Sequence, residues 1–326
     1  MHSRPSRPAT TPFPVDPHAL GTLCGLISAF VYTCANAFLR AVDDCDPVWV
    51  SAVKAVPTVV AMTPVLAVTA ACGKKVLPTL PMLAAVAGGG LIGQLGGNIS
   101  FQWALGQIGV ALTVPLSLGG MILGAAILGR IFLAEPLTPK AVLALALLLA
   151  AICVLSLGAP DAGHAVTRET VPLLRLMAGV AAACLSGTAY AVLNVILRYC
   201  ITRGCPLPTT LFTVSIVGLG ALSLLSWLRI GQSGIAATTT SQLALMLLAG
   251  VCNTVAFLSL TKSLQLTSVV YVNALNATQA TLAALAGVLI FREPLSSWLT
   301  IGVALTIVGL MVLAHAHRTM RQVKPA

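Results

Sequence analysis

Four polar residues recur at one offset along this chain: Ser28, Tyr32, Asn36 and Arg40 return 158 positions later as Ser186, Tyr190, Asn194 and Arg198. With four Tyr and six Asn in 326 residues, a match at all four places reflects internal duplication rather than chance. Each set has the spacing i, i+4, i+8, i+12, which lays its members along one slowly turning face of a helix. The flanks, Leu26 to Leu39 and Leu185 to Leu197, are strongly apolar and hold no acid. The chain must therefore seat two related apolar helices, each with one wet stripe.

Apolar residues make up 58% of the chain and charged residues 8%, with a mean hydropathy of +0.98, well outside the soluble range. A span of hydrocarbon takes about 20 apolar residues in a helix. Ten such segments are expected, near 18–39, 47–71, 80–103, 108–132, 137–158, 173–197, 208–228, 241–261, 267–291 and 295–315. The fold class expected is an all-α integral membrane protein of ten transmembrane helices in two five-helix repeats, 18–158 and 173–316. Residues 159–172 read as the linker between them. Residues 1–17, with Arg4, Arg7 and five prolines, lack the apolar core of a cleavable signal peptide and read as a disordered cytoplasmic tail, and 317–326 as a second tail.

Basic residues near helix ends favour the cytoplasmic side. With alternating spans, Arg4, Arg7, Lys74, Lys75, Arg130, Lys140, Arg198, Arg203, Lys262, Arg318, Arg321 and Lys324 share the N-terminal side. Arg40, Arg168, Arg175, Arg229 and Arg292 take the other. Twelve against five puts both termini in the cytoplasm, and five helices per repeat make the two halves inverted. The net charge of +10 is then the excess of cytoplasmic loop positives, in contact with membrane lipid, rather than a nucleic-acid footprint.

At the junction of segments four and five the chain reads Phe132-Leu133-Ala134-Glu135-Pro136-Leu137, and at nine and ten Ile290-Phe291-Arg292-Glu293-Pro294-Leu295, again offset by 158. The paired Glu-Pro-Leu resembles the EamA-type repeats of the drug/metabolite transporter superfamily. Ala104-Leu105, Ser263-Leu264, Lys54, Gly302 and Gly309 fit the same pattern, whereas Ala144 and Ala151 replace the last two glycines in the first repeat. The resemblance covers roughly residues 20 to 316. It implies a ten-helix carrier of small metabolites and leaves the substrate open.

Glu135-Pro136 and Glu293-Pro294 suit helix starts, because proline gives up an N–H that would be unpaired there and an acid favours the positive helix end. They are expected to be structural rather than gating. Tyr32, Asn36, Tyr190 and Asn194 can exchange hydrogen bonds with a polar solute near the midplane, or bond across helices as packing glue. A second polar set supports a cavity: Gln94, Asn98, Asn253, Asn273 and Asn276, with Thr254, Thr278 and Gln279 beside them. Opposite Asn273 in the repeat stands Pro115, which frees the carbonyl of Ala111 and marks a hinge. Gly89, Gly93 and Gly97 form a ridge for close helix contact.

Lys54 is the one ionisable side chain expected well inside a segment, about 10 Å along the axis from Pro47. It serves as a substrate partner or snorkels to the surface. No Asp or Glu falls inside a helix core, which disfavours a cationic substrate. The nine cysteines form no CxxC, and neither a metal site nor a cofactor site is indicated.

The function expected is secondary transport, with export favoured, of a small polar metabolite, neutral or zwitterionic such as an amino acid or nucleobase. Its partners would be that solute and membrane lipid, as a monomer or homodimer in the plasma membrane, with no nucleic acid. The alternatives are an uncoupled exchanger of small organic anions and a lipid-modifying membrane enzyme. The enzyme is disfavoured because no His/Asp, Cys/His or paired-carboxylate set is present.

Overall fold

The computed structural model describes residues 16–73, 75–135, 137–157, 173–282, 285 and 297–323, and all regular structure among them is helical. The helices are α1 (Pro17–Arg40), α2 (Pro47–Ala71), α3 (Leu80–Leu91) continuing through a π-helical stretch Ile92–Ile99 into α4 (Ser100–Phe132), α5 (Pro139–Leu157), α6 (Leu173–Thr202), α7 (Leu207–Ala236), α8 (Thr240–Leu266), α9 (Val269–Asn276) and α10 (Ser297–Val323). Among the described residues seven helices are long and apolar enough to cross a membrane. Two shorter apolar helices, Pro139–Val154 and Thr300–Leu313, accompany them. The protein is a multi-pass membrane protein.

Several helix edges differ from the sequence expectation. The third segment runs on to Gly109, where the chain leaves helical geometry (φ 71°, ψ 171°), and the fourth occupies Thr113–Phe132. That conformation is open to glycine and closed to residues with a Cβ. Gly109 thus marks the junction between two spans, and Pro115, the expected hinge, lies in the first turn of the fourth span. The helix expected at 173–197 continues to Thr202, while the one expected at 208–228 runs to a break at Gly231 (φ 61°, ψ −175°), beyond which a short helical stretch reaches Ala236. The linker 159–172 and the first fifteen residues lie outside the described residues.

Helix starts are fixed locally. Asp16 accepts from the amide of His18 ahead of Pro17, and Asp46 accepts from the amides of Val48 and Trp49 (3.0 and 3.1 Å) ahead of Pro47. Each couples an acidic cap to a proline in the first turn, where no N–H is needed. Thr239 and Gln242 form a reciprocal capping box on α8.

Small residues set the packing. A Cβ on Gly187 of α6 would come within 2.0 Å of the Ser117 carbonyl oxygen of α4, and one on Gly120 within 3.0 Å of the Cys184 carbonyl oxygen. The two backbones touch at this crossing, and the Ser117 and Ser186 hydroxyls bond across it at 3.2 Å. The glycine ridge of the third segment meets α6 in the same manner: Gly89, Gly93 and Gly97 face Ile196, Leu193 and the Tyr190 ring. Elsewhere α1 packs on α8, α2 on α7 and α8, and α5 on α10.

Candidate functional site

These crossings enclose a central cavity of about 120 Å³. Tyr32 and Asn36 reach it from α1, Lys54 from α2, Gln94 and Asn98 from the π-helical stretch, Tyr190 and Asn194 from α6, Asn253 from α8 and Asn276 from α9. Nine of the ten residues singled out as substrate-binding therefore line one space. The tenth, Asn273, is fully buried behind it and accepts a hydrogen bond from Asn194 at 2.8 Å.

The duplicated stripe divides its labour along each helix. The serines seat the helices: Ser28 donates to Asn276 Oδ1 and Ser186 bonds Ser117. The next two positions, Tyr and Asn, face the cavity in both copies. The arginines part company, with Arg40 exposed at the end of α1 and Arg198 half buried in an end network.

One side of the cavity is a hydrogen-bonded cluster around Asn98. Its Oδ1 accepts from Lys54 Nζ at 2.8 Å and from the Tyr190 hydroxyl at 2.6 Å, while its amide donates to Gln94. Gln94 and Asn98 sit in the π-helical stretch, a geometry that is rare and collects at functional sites. Gly218 of α7 makes the room: a Cβ there would lie 2.4 Å from Gln94 Cγ. Lys54 is 4% exposed and points at Asn98, which removes the expectation that it snorkels to the surface.

Apart from Ser117 and Gln279 the rest of the lining is apolar, including Phe101, Leu118, Met121, Phe257 and Leu260. These residues, with Gly218 and Ser117, were not visible as site residues in the sequence, since they look like any other membrane-core side chains. The seam between α2 and α8 is held by a Thr58–Thr254 hydrogen bond at 2.8 Å, and by Gly250 lying against the Lys54 carbonyl.

Glu135 does not cap the helix that follows it. That helix begins at Pro139, and Thr138 Oγ1 accepts from the amide of Ala141 at 3.2 Å. The Glu135 carboxylate crosses instead to α9, where both oxygens accept from the Val269 amide (3.2 and 3.1 Å), and it pairs with Arg198 at 3.5 Å. Burial pushes its carboxyl above the usual value, against the opposing pull of the Val269 amide and the Arg198 guanidinium. Arg198 in turn donates to the carbonyls of Leu264 and Gln265 at the end of α8. Pro136, Glu293 and Pro294 lie outside the described residues.

Among the described residues no group of three His, Cys, Asp or Glu is placed to hold a metal ion. The chemistry on offer is hydrogen bonding and one positive charge in a partly apolar chamber, suited to holding a solute.

No curated protein matches the chain. A solved structure that carries only the description "Crystal structure of protein" superposes with a TM-score of 0.69 at 20% identity, over 92% of this chain and 98% of its own, so the whole fold is shared with it. Residues 177–314 match the model of the EamA-like transporter family. The matched stretch falls within the second repeat expected at 173–316, and it is consistent with the resemblance to the drug/metabolite transporter superfamily carried by the paired Glu-Pro-Leu.

Proposed function

We propose that the protein is a secondary carrier that moves a small polar metabolite, neutral or zwitterionic such as an amino acid or nucleobase, by alternating access, with export as its direction. The carrying observation is that the Tyr and Asn positions of both copies of the duplicated stripe line one central cavity. Transporter sites fall at such repeat interfaces near the midplane. The reading takes the chain as ten spans in two inverted repeats, termini cytoplasmic, in a bacterial plasma membrane. In its support, the pairings exchange under the 158-residue offset: α1 on α8 answers α6 on the π-helical stretch, and α2 on α7 and α5 on α10 each pair with their own counterparts.

Proteoliposomes loaded with a mixed pool of amino acids, nucleobases and small organic acids provide the test, read by mass spectrometry of what leaves. Selective loss of one class is expected, and it falls away in an Asn36→Ala, Asn194→Ala double variant. Because Asn194 also bonds buried Asn273, Tyr32→Phe serves as a second variant that strands no partner. Unchanged flux in both variants removes the stripe from the site.

A further inference from the structure

We infer that the solute carries a carboxylate, received at the α2–α8 seam by Lys54 and Asn253, with an apolar body lying along α8 toward Phe257 and Leu260. The inference rests on the carrier reading and names the substrate class of the same cavity.

Donor accounting at Lys54 comes first. An ammonium brings three N–H donors and a full charge, and burial of such a group is costly unless an anion or several acceptors meet it. Its one hydrogen-bond partner among the described residues is Asn98 Oδ1, a neutral oxygen already shared with Tyr190. The acids among the described residues are Asp16, Asp43, Asp44, Asp46 and Glu135, and none lines the cavity. Among the described residues the Lys54 charge thus faces the chamber without a carboxylate, a place that a solute carboxylate would fill.

Asn253 is the second element. It lines the cavity from α8 with no hydrogen-bond partner among the described residues. Its neighbour Thr254 bonds Thr58, one turn beyond Lys54, so the seam brings Asn253 and Lys54 to the same edge of the chamber. The Tyr32 hydroxyl, also in the lining, is likewise without a partner.

Direction follows from helix geometry. Phe257 and Leu260 stand four and seven positions past Asn253 on one face of α8, about 6 and 10 Å along its axis. A carboxylate bound at Lys54 and Asn253 therefore leaves the rest of the solute against these two side chains. A nucleobase, which has no carboxylate, fits this arrangement poorly, whereas an amphipathic amino acid or organic acid fits it well.

Four probes sharing the isobutyl side chain of leucine decide the matter in proteoliposomes: leucine, leucinamide, isopentylamine and 4-methylpentanoate. Leucine or 4-methylpentanoate is expected to move about tenfold or more faster than the amide and the amine, the scale set by leaving a buried charge unpaired. Which of the two leads separates a zwitterion from a simple anion. Lys54→Met is expected to erase that preference, and Lys54→Arg to keep part of it. A purely structural lysine would make Lys54→Met less stable; a charge awaiting a solute anion makes it as stable or more so in probe-free detergent.

Equal rates for all four probes, or an undiminished carboxylate preference in Lys54→Met, overturn the inference while leaving the carrier reading intact. Should neither the probes nor the mixed metabolite pool move through well-folded protein, both fall together.

Discussion

The Glu135 carboxylate lies 3.5 Å from the Arg198 guanidinium while its two oxygens take the Val269 amide, so one side chain joins the connection after α4 to the ends of α6 and α9. Arg198 extends the tie to the last carbonyls of α8. A single carboxylate therefore holds one end of the bundle, across the two copies of the duplicated unit.

Glu135→Ala is expected to cost about 1–3 kcal/mol, the range for stranding a partly buried donor and its charged partner. Glu135→Gln keeps an acceptor for Val269 and loses less. The charge swap Glu135→Arg with Arg198→Glu is expected not to restore stability, since guanidinium cannot accept from the Val269 amide. Thermal unfolding in detergent reads all three; full rescue by the swap would make the ion pair, and not the helix cap, the main contribution.

Gly187→Ala is expected to be severely destabilising, because its methyl would lie within 2.0 Å of the Ser117 carbonyl and the backbones of α4 and α6 cannot part without unseating Ser186 from Ser117. Gly220→Ala, at a site with open space around it, is the matched control and is expected to behave as wild type or better. Size-exclusion profiles of the two variants make the comparison; equal monodispersity would refute the close crossing.

Asp46 caps α2 and pairs with Arg229 at 3.3 Å, yet Arg229 is half exposed, so the cap and not the ion pair carries the energy. Asp46→Ala should cost about 1 kcal/mol and Asp46→Asn little of it. Arg229→Ala should change unfolding temperature within error, at low and at high salt. A strong salt-dependent loss on removing Arg229 would reverse the ranking.

Tyr190→Phe removes the 2.6 Å hydrogen bond to Asn98 and leaves Lys54 as that oxygen's remaining donor. The net worth of such a bond is about 1 kcal/mol, so a several-fold rise in apparent KM for transport is expected with the fold intact. A Tyr190→Phe carrier with unaltered KM would show that Tyr190 packs against Gly97 and does nothing more.

Hydropathy and the repeat offset are properties of residue order, so the membrane class, the helices α1, α2, α6 and α8 within a few residues, and the residues of the polar stripe are all legible in the sequence. So was the glycine ridge, since small residues at spacing four admit a neighbouring helix wherever they occur. What the chain order could not state is which helix answers which. A carboxylate beside a proline looks like a cap for its own helix. Only the packed bundle reveals that Thr138 fills that place and that Glu135 reaches Val269 and Arg198, residues more than sixty positions away.

The same holds in the cavity, where Lys54 is read as a buried charge rather than a snorkelling one only once Asn98 is seen to face it across two helices. The apolar half of the lining, from Phe101 to Leu260, has no signature, because a wall of leucine and phenylalanine is written with the same letters as a packed core. Local sequence determines solvent preference and helix period; long-range contact alone decides which polar atoms are satisfied and which face the chamber.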